Sequence, residues 1–271
     1  MVRDITLGQY LPGRSAIHRL DPRMKILLLL AFIVFIFITN NYYALAVTTL
    51  SVLSMMLLTR IPIKMYLKSM KMILFIVLFT AVLNLFYGRG EPLVQFGFLK
   101  VTQAGINNAV FVAVRIASLI IVSSMLTFTT SLTDLTDALE RLMKPLKVFH
   151  VKVHEIAMMM TIALRFVPTL LEETDKIMSA QKARGADMES GNLIQRIKAL
   201  VPVLVPLFVS AFRRAYELAT AMECRCYRGG DGRTRMKSLH FSKTDVCAVC
   251  VCALIFTGVI LCNAFLPAAV R

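Results

Sequence analysis

Acidic residues are scarce in this sequence: 16 Asp and Glu stand against 31 Lys and Arg in 271 residues, for a formal charge of +15. No glycine-rich loop of the G-x-x-x-x-G-K-[ST] type occurs, so the chain has nothing with which to cradle nucleotide phosphates and does not read as an ATPase. The long apolar runs contain no Asp or Glu. A secondary transporter driven by protons or sodium usually places ionisable residues or broken helices at mid-membrane. No small-residue cleavage site follows the first apolar run, which comes after a polar tail of about two dozen residues, so no cleavable signal is expected. The six cysteines lack a secreted-domain framework, and Cys247, Cys250, Cys252 and Cys262 share one apolar stretch. All six are expected to be reduced thiols.

What is present is apolar surface in excess. The chain is 57% hydrophobic with a mean hydropathy of +0.69, where a soluble domain is about 45–50% apolar. That excess needs lipid to cover it. Nucleic-acid binders share the basic balance but not several hydrophobic runs of spanning length, so no nucleic acid is expected as a partner. Anionic lipid and acidic proteins fit the charge.

Asp21-Pro22 is a helix-start signal, because Asp caps free amides and Pro at the first helical position gives up a donor the helix would not use. The apolar runs cover Pro22–Asn41, Tyr42–Leu58, Met70–Tyr87, Ala109–Phe128 and Val246–Leu266, which gives an all-α integral membrane protein of about five spans. Basic residues near span ends stay on the cytoplasmic side. With the N-terminus inside, 27 Lys and Arg fall inside and only Arg89, Lys100 and Arg271 outside; Arg115 lies within the fourth run.

Residues 129–243 are basic, too apolar for a linker and too polar for membrane throughout. Ser131 and Thr133 are candidate caps for a helix on which Leu135, Leu139, Leu142 and Leu146 recur as a stripe expected to be buried. Two long helices are expected over His154–Ala183 and Leu193–Tyr227, with Pro168 as the kink of the first. Ala199–Phe212 is fourteen residues without a charge and contains Pro202 and Pro206, shorter than a span. If both long helices crossed, Lys176, Lys182, Arg184, Arg196 and Lys198 would be exported, so they are read as lying at or below the inner interface.

Several residues carry two readings. Arg115 is a substrate-anion site, or it snorkels or bonds to neighbouring carbonyls. His150 and His154 have the four-residue spacing of a metal pair, or they belong to a solvated interfacial helix; no metal site is expected. Cys247-x-x-Cys250 has ligand spacing but sits at the mouth of a span, where Cys serves as a small apolar residue. Met158-Met159-Met160 is lipid-facing or core filler, or an adaptable surface for more than one partner.

Two elements stand out near the ends of the long helices: Ala183-Arg184-Gly185 and Cys224-Arg225-Cys226, forty-one residues apart. Each sets one arginine between small residues. The helix dipole favours a cation at a C-terminus, and small neighbours let a partner's backbone approach the five-donor guanidinium.

With Gly8-Gln9-Tyr10, His18-Arg19-Leu20-Asp21-Pro22-Arg23-x-Lys25, Ala221-Met222-Glu223 and Tyr227-Arg228-Gly229-Gly230, these motifs resemble the transmembrane T component of energy-coupling-factor (ECF) transporters, the EcfT/CbiQ family, over nearly the whole chain. The second motif departs from the family in having Cys where Ala and Gly are common. The resemblance implies a cytoplasmic tail over 1–24 and four transmembrane helices over 25–128. A cytoplasmic or interfacial domain of long amphipathic coupling helices would follow over 129–243, with a last span and tail over 244–271. It implies that Ala183, Arg184, Gly185, Cys224, Arg225 and Cys226 couple the chain to two ABC ATPase subunits, each arginine docking in a groove on one of them. ATP and Mg would be bound by those ATPases and no cofactor by this chain. A separate membrane S component would hold the substrate, a vitamin or transition-metal ion. The rival readings are a self-contained secondary transporter or channel and a membrane-anchored interaction protein.

Overall fold

The computed structural model describes residues 10–86, 92–96, 99–186, 192–230 and 239–265; Gly8, Gln9, Arg89 and Arg271 lie outside the described residues. The all-α fold expected from the sequence is what the chain adopts, with one small β-hairpin added.

Helix starts follow local chemistry. In α1 (Pro22–Ile38), the Asp21 carboxylate accepts the Arg23 backbone N–H at 2.9 Å and Pro22 takes the first position, as expected. After α2 (Tyr42–Thr59), α3 (Ile63–Phe86) begins well before the apolar run at Met70. Lys64 and Lys68, which precede that run, are helical and exposed, because long basic side chains keep their charge in water while their stems lie on apolar surface. Strands β1 (Pro92–Phe96) and β2 (Leu99–Thr102) pair antiparallel and lead into α4 (Gln103–Thr129). The Thr102 hydroxyl caps α4 by accepting the Gly105 N–H at 3.1 Å. At Gly105 an added Cβ would stand 2.5 Å from the Leu85 carbonyl oxygen, so glycine is what lets α3 and α4 meet.

Ser131 caps α5 (Leu132–Leu142), its Oγ accepting the Asp134 N–H at 3.1 Å, while Thr133 is inside the helix. The expected four-leucine stripe is interrupted. Leu135, Leu139 and Leu142 are half-buried, but α5 stops before Lys144-Pro145 and a short 3-10 helix (Lys144–Phe149) carries Leu146 to an exposed position. Pro145 stands in the first turn of the 3-10 helix, where its missing N–H is not needed. Then come α6 (Val153–Ala183), α7 (Leu193–Cys224) and α8 (Lys243–Phe265), with α6 continuing through Pro168 and α7 through Pro202 and Pro206.

Five described helices, α2, α4, α6, α7 and α8, are long and apolar enough to cross a membrane. The set differs from the five apolar runs of the sequence. Helix α1 has 17 residues, and α3 is bent by 62° between its Ile63–Lys71 and Ile73–Leu85 parts.

The chain forms two compact units divided between Leu135 and Thr136. One, the bundle, holds α1 to α4 and α8; the other, the paired-helix unit, holds most of α5, the 3-10 helix, α6 and α7. In the bundle α1 and α2 each pack on both α4 and α8, closing a ring of four helices, with α3 against α4. The ring's core is Phe32, Ile36, Val52, Val122 and Cys252, and Phe256 stacks on Phe35 at a centroid distance of 3.8 Å.

Several of the bundle's charged groups are used internally. Asp245, 2% exposed, accepts the Asp21 N–H at 2.8 Å and the Ser242 N–H at 2.7 Å, joining the starts of α1 and α8. Arg23 donates to Asp21 and to the Leu239 carbonyl and lies over the Phe241 ring. Lys25 donates to the carbonyls of His18 and Thr129 and to the Thr130 hydroxyl, which fastens the end of α4. The basic N-terminal signature is thus a clasp on one end of the bundle. Arg115 donates to the Thr39 carbonyl just past α1, with its guanidinium 4.6 Å from the Phe111 ring centroid, so of its two readings the bond to a neighbouring carbonyl is the one seen.

Candidate coupling site

Both arginine motifs are helix ends of one kind. Helix α6 ends at Ala183 and Arg184 is its C-cap; α7 ends at Cys224 and Arg225 is its C-cap. The next residue is left-handed in each, Gly185 at φ +85° and Cys226 at φ 54°. The hydrogen bonds match as well. Gly185 N–H donates to Lys182 O at 3.0 Å and Ala186 N–H to Gln181 O at 3.0 Å; Cys226 N–H donates to Glu223 O at 2.8 Å and Tyr227 N–H to Met222 O at 3.0 Å. These are two complete Schellman endings, which satisfy carbonyls the helix leaves open and reverse the chain directly after the arginine. Small residues follow the arginines because of this: glycine adopts the left-handed region freely, whereas Cys226 carries a Cβ there at a cost of about 1–2 kcal/mol.

Reversal leaves the arginine at the tip of its helix. Arg184 and Arg225 are exposed, as are Ala183, Gly185, Cys224 and Cys226, and neither guanidinium has a hydrogen-bond or ion-pair partner among the described residues. Beside Arg225 a cavity of about 410 Å³ opens between Met158 and Ile162 of α6 and Leu218 and Met222 of α7.

Polar links that the sequence did not reveal hold α6 and α7 antiparallel. Glu173 accepts from the Ser210 hydroxyl and, at 2.9 Å, from Arg214 Nη2. Further along, Gln181 Nε2 donates to the Pro202 carbonyl at 3.3 Å. That carbonyl would ordinarily bond to the N–H four residues on, which is Pro206 and has none. The Pro202–Pro206 spacing was the available signal that a donor from elsewhere was required. Since α6 ends where α7 begins its course, the two arginines occupy opposite ends of the pair, roughly 35 Å apart along the helices at 1.5 Å per residue.

One face of α7 remains bare: Ile194, Ile197, Val201, Leu204 and Phe208, among others, are exposed at the three- and four-residue spacing of a single stripe. His154 donates or accepts at 3.0 Å with Glu140, and an added Cβ at Gly230 would stand 2.2 Å from its ring, so Gly229-Gly230 turn the chain back onto the start of α6. His150 is left-handed at φ 61° and exposed after the 3-10 helix. All six cysteines are free, with Cys252 buried in the ring.

The fold and these paired ends define a multi-pass membrane protein with a helix pair tipped by free arginines. The family described as CbiQ, cobalt transport protein, matches residues 13–236. Among curated proteins, "Energy-coupling factor transporter transmembrane protein EcfT" of Ruminiclostridium cellulolyticum is 54% identical over 261 residues, covering 96% of this chain and 98% of its own length. The proteins of the same name from Clostridium kluyveri and Bacillus subtilis are 55% and 45% identical, covering 94% of this chain each and 95% and 98% of their own lengths. The chain belongs to the EcfT/CbiQ family of ECF transporter transmembrane components.

Proposed function

We propose that this chain is the non-catalytic coupling subunit of an ECF-type importer in the cytoplasmic membrane. In this reading Arg184 and Arg225 each dock on one of two ABC ATPase subunits, and ATP and Mg are bound there. The exposed apolar stripe of α7 faces a membrane S component that carries a vitamin or transition-metal ion. The observation that carries the proposal is the pair of identical helix endings, each presenting one free arginine at opposite ends of a single cross-linked helix pair. Two tips so far apart suit two separate docking points on an ATPase dimer, and closure of that dimer moves the tips and tilts the stripe between them.

The N-terminus is inside, α1 to α4 and α8 span, and α6 and α7 lie at the inner interface; the 27 to 3 distribution of basic residues supports this. Although α6 and α7 are long enough to cross, crossing would export Lys176, Lys182 and Arg184, or carry Arg213 and Arg214 into hydrocarbon.

Losing one partner of a desolvated charged contact costs about 2–5 kcal/mol, and losing both docking points also removes bivalent attachment. Arg184→Glu and Arg225→Glu together are therefore expected to abolish co-purification of the ATPases and uptake, with the chain still in the membrane, and each single change to weaken both. Normal ATPase binding and normal uptake in the double variant would overturn the proposal.

A further inference from the structure

A second cationic feature lies in the bundle, unconnected with the coupling arginines. A cavity of about 240 Å³ is bounded by residues 11–15 and His18 on one side and by Thr59–Pro62, the turn between α2 and α3, on the other. Its ionisable lining is Arg14, Arg60 and His18, with no carboxylate. Arg14 and Arg60 are exposed, and among the described residues neither has a hydrogen-bond or ion-pair partner. Arg23, Lys25 and Arg115 of the bundle are bound within the fold, whereas Arg14 and Arg60 are exposed arginines that share one cavity.

The backbones that carry them are held firmly. His18 Nε2–H donates to the Leu11 carbonyl at 3.0 Å and the Ser15 hydroxyl donates to Nδ1 at 2.6 Å, closing residues 11–18 on themselves. Gly13 is pressed against that ring, where an added Cβ would stand 2.7 Å from the imidazole. The Leu11 N–H donates to the Phe128 carbonyl at 3.0 Å, tying the segment to the end of α4. Across the cavity, Thr59 Oγ1 pairs with the Tyr66 hydroxyl at 3.0 Å and accepts the Ile61 N–H, and Arg60 occupies the left-handed C-cap of α2 at φ 56°. Two planar forks on fixed backbones facing one small cavity suit bidentate recognition of a phosphate group.

The neighbouring surface indicates where that phosphate comes from. Leu57, Leu58 and Ile63, on the last turn of α2 and at the start of α3, are 68%, 56% and 54% exposed. They flank the arginine-bearing turn at the ends of apolar helices, a position that acyl chains cover. No Phe, Tyr or Trp lines the cavity for a nucleobase to stack on, and the His18 imidazole is engaged through both ring nitrogens with Ser15 and Leu11.

We infer that Arg14 and Arg60 form a binding site for the headgroup phosphate of an anionic phospholipid whose chains lie along Leu57, Leu58 and Ile63. The test uses the full-length chain in detergent, titrated with phosphatidylglycerol or phosphatidylcholine and followed by native mass spectrometry, with inorganic phosphate alone as a third arm. Wild type is expected to retain phosphatidylglycerol preferentially. Arg14→Gln with Arg60→Gln is expected to reduce that retention about tenfold or more, since each cation near a lipid surface contributes on the order of a factor of five. Arg19→Gln, at an exposed arginine that does not line the cavity, should leave it unchanged. Lysine at both positions keeps the charge without the fork and should fall between; this pair also serves if the glutamine pair fails to fold. Equal retention of the two lipids, or a preference unaltered in both pairs of variants, would overturn the assignment. Displacement of phosphatidylglycerol by inorganic phosphate at equal concentration would overturn the lipid as the source.

Discussion

The two units differ in what their best-placed charges do. In the bundle, Asp245 takes two backbone amides, Lys25 three oxygens and Arg115 the carbonyl beyond α1. In the paired-helix unit, Glu173 and Arg214 are matched to each other, while Arg184 and Arg225 stand at helix tips with no partner among the described residues. A charge satisfied inside a fold holds elements in register, and one left free on an ordered backbone is available to another molecule. Arginine thus holds elements together at Arg23, Arg115 and Arg214 and faces outward at Arg184 and Arg225, as it does at Arg14 and Arg60.

That contrast is sharpest at Asp245. Asp245→Ala leaves two buried N–H groups without an acceptor, each costing about 1–3 kcal/mol, so the thermal midpoint of the purified chain should drop markedly, by about 3 kcal/mol of stability. Arg184→Ala should leave the midpoint where it is. Equal midpoints for wild type and Asp245→Ala would erase the distinction between the units.

Backbone strain at the two helix endings offers a smaller, paired effect. Cys226→Gly should stabilise the paired-helix unit by about 1 kcal/mol, and Gly185→Ala should destabilise it by a similar amount. No atom lies within 4 Å of a Cβ added at Gly185, so only the backbone is being tested. Thermal unfolding of both variants checks the signs, and like signs would refute the shared geometry.

Smaller again is a pH effect in the bundle. Burial lowers the pKa of His18 from 6.5, a carbonyl bond to Leu11 opposes the shift, and the charge of Lys25 adds to it. The neutral imidazole is the folded form, so its contribution is complete above about pH 6.5 and is lost as the pH falls below that value. His18→Gln should flatten stability over that range; a wild-type profile already flat there would count against the clasp.

The smallest effect on stability is expected from Glu173→Ala. Its consequence should appear in geometry: spin labels on α6 and α7 should give a broader distance distribution once Ser210 and Arg214 lose their acceptor. An unchanged distribution would mean that the link is idle.

Local signals were legible in the sequence. Asp21-Pro22 and Ser131 begin helices as their chemistry dictates, and both arginine motifs lie at helix ends because a cation and a small residue suit a C-terminus. Pairings between distant residues were not. Nothing near Asp245 announces that its partner is the Asp21 amide, and the N-terminal signature could be recognised without its role as a clasp. The start of α3 ahead of Met70 was not legible, because Lys64 and Lys68 break the apolar pattern without breaking the helix, and the leucine stripe stops short of Leu146 because the chain becomes a 3-10 helix at Lys144.

The left-handed residue after each arginine has a mechanical consequence. Because the chain folds back at once, each arginine stands on the last turn of its helix with only small residues next to it in sequence. A contact made only at such a tip transmits thrust along the helix axis while leaving the helix free to swivel, as a ball joint does. A partner gripping both tips could then tilt α6 and α7 through a large angle without twisting either.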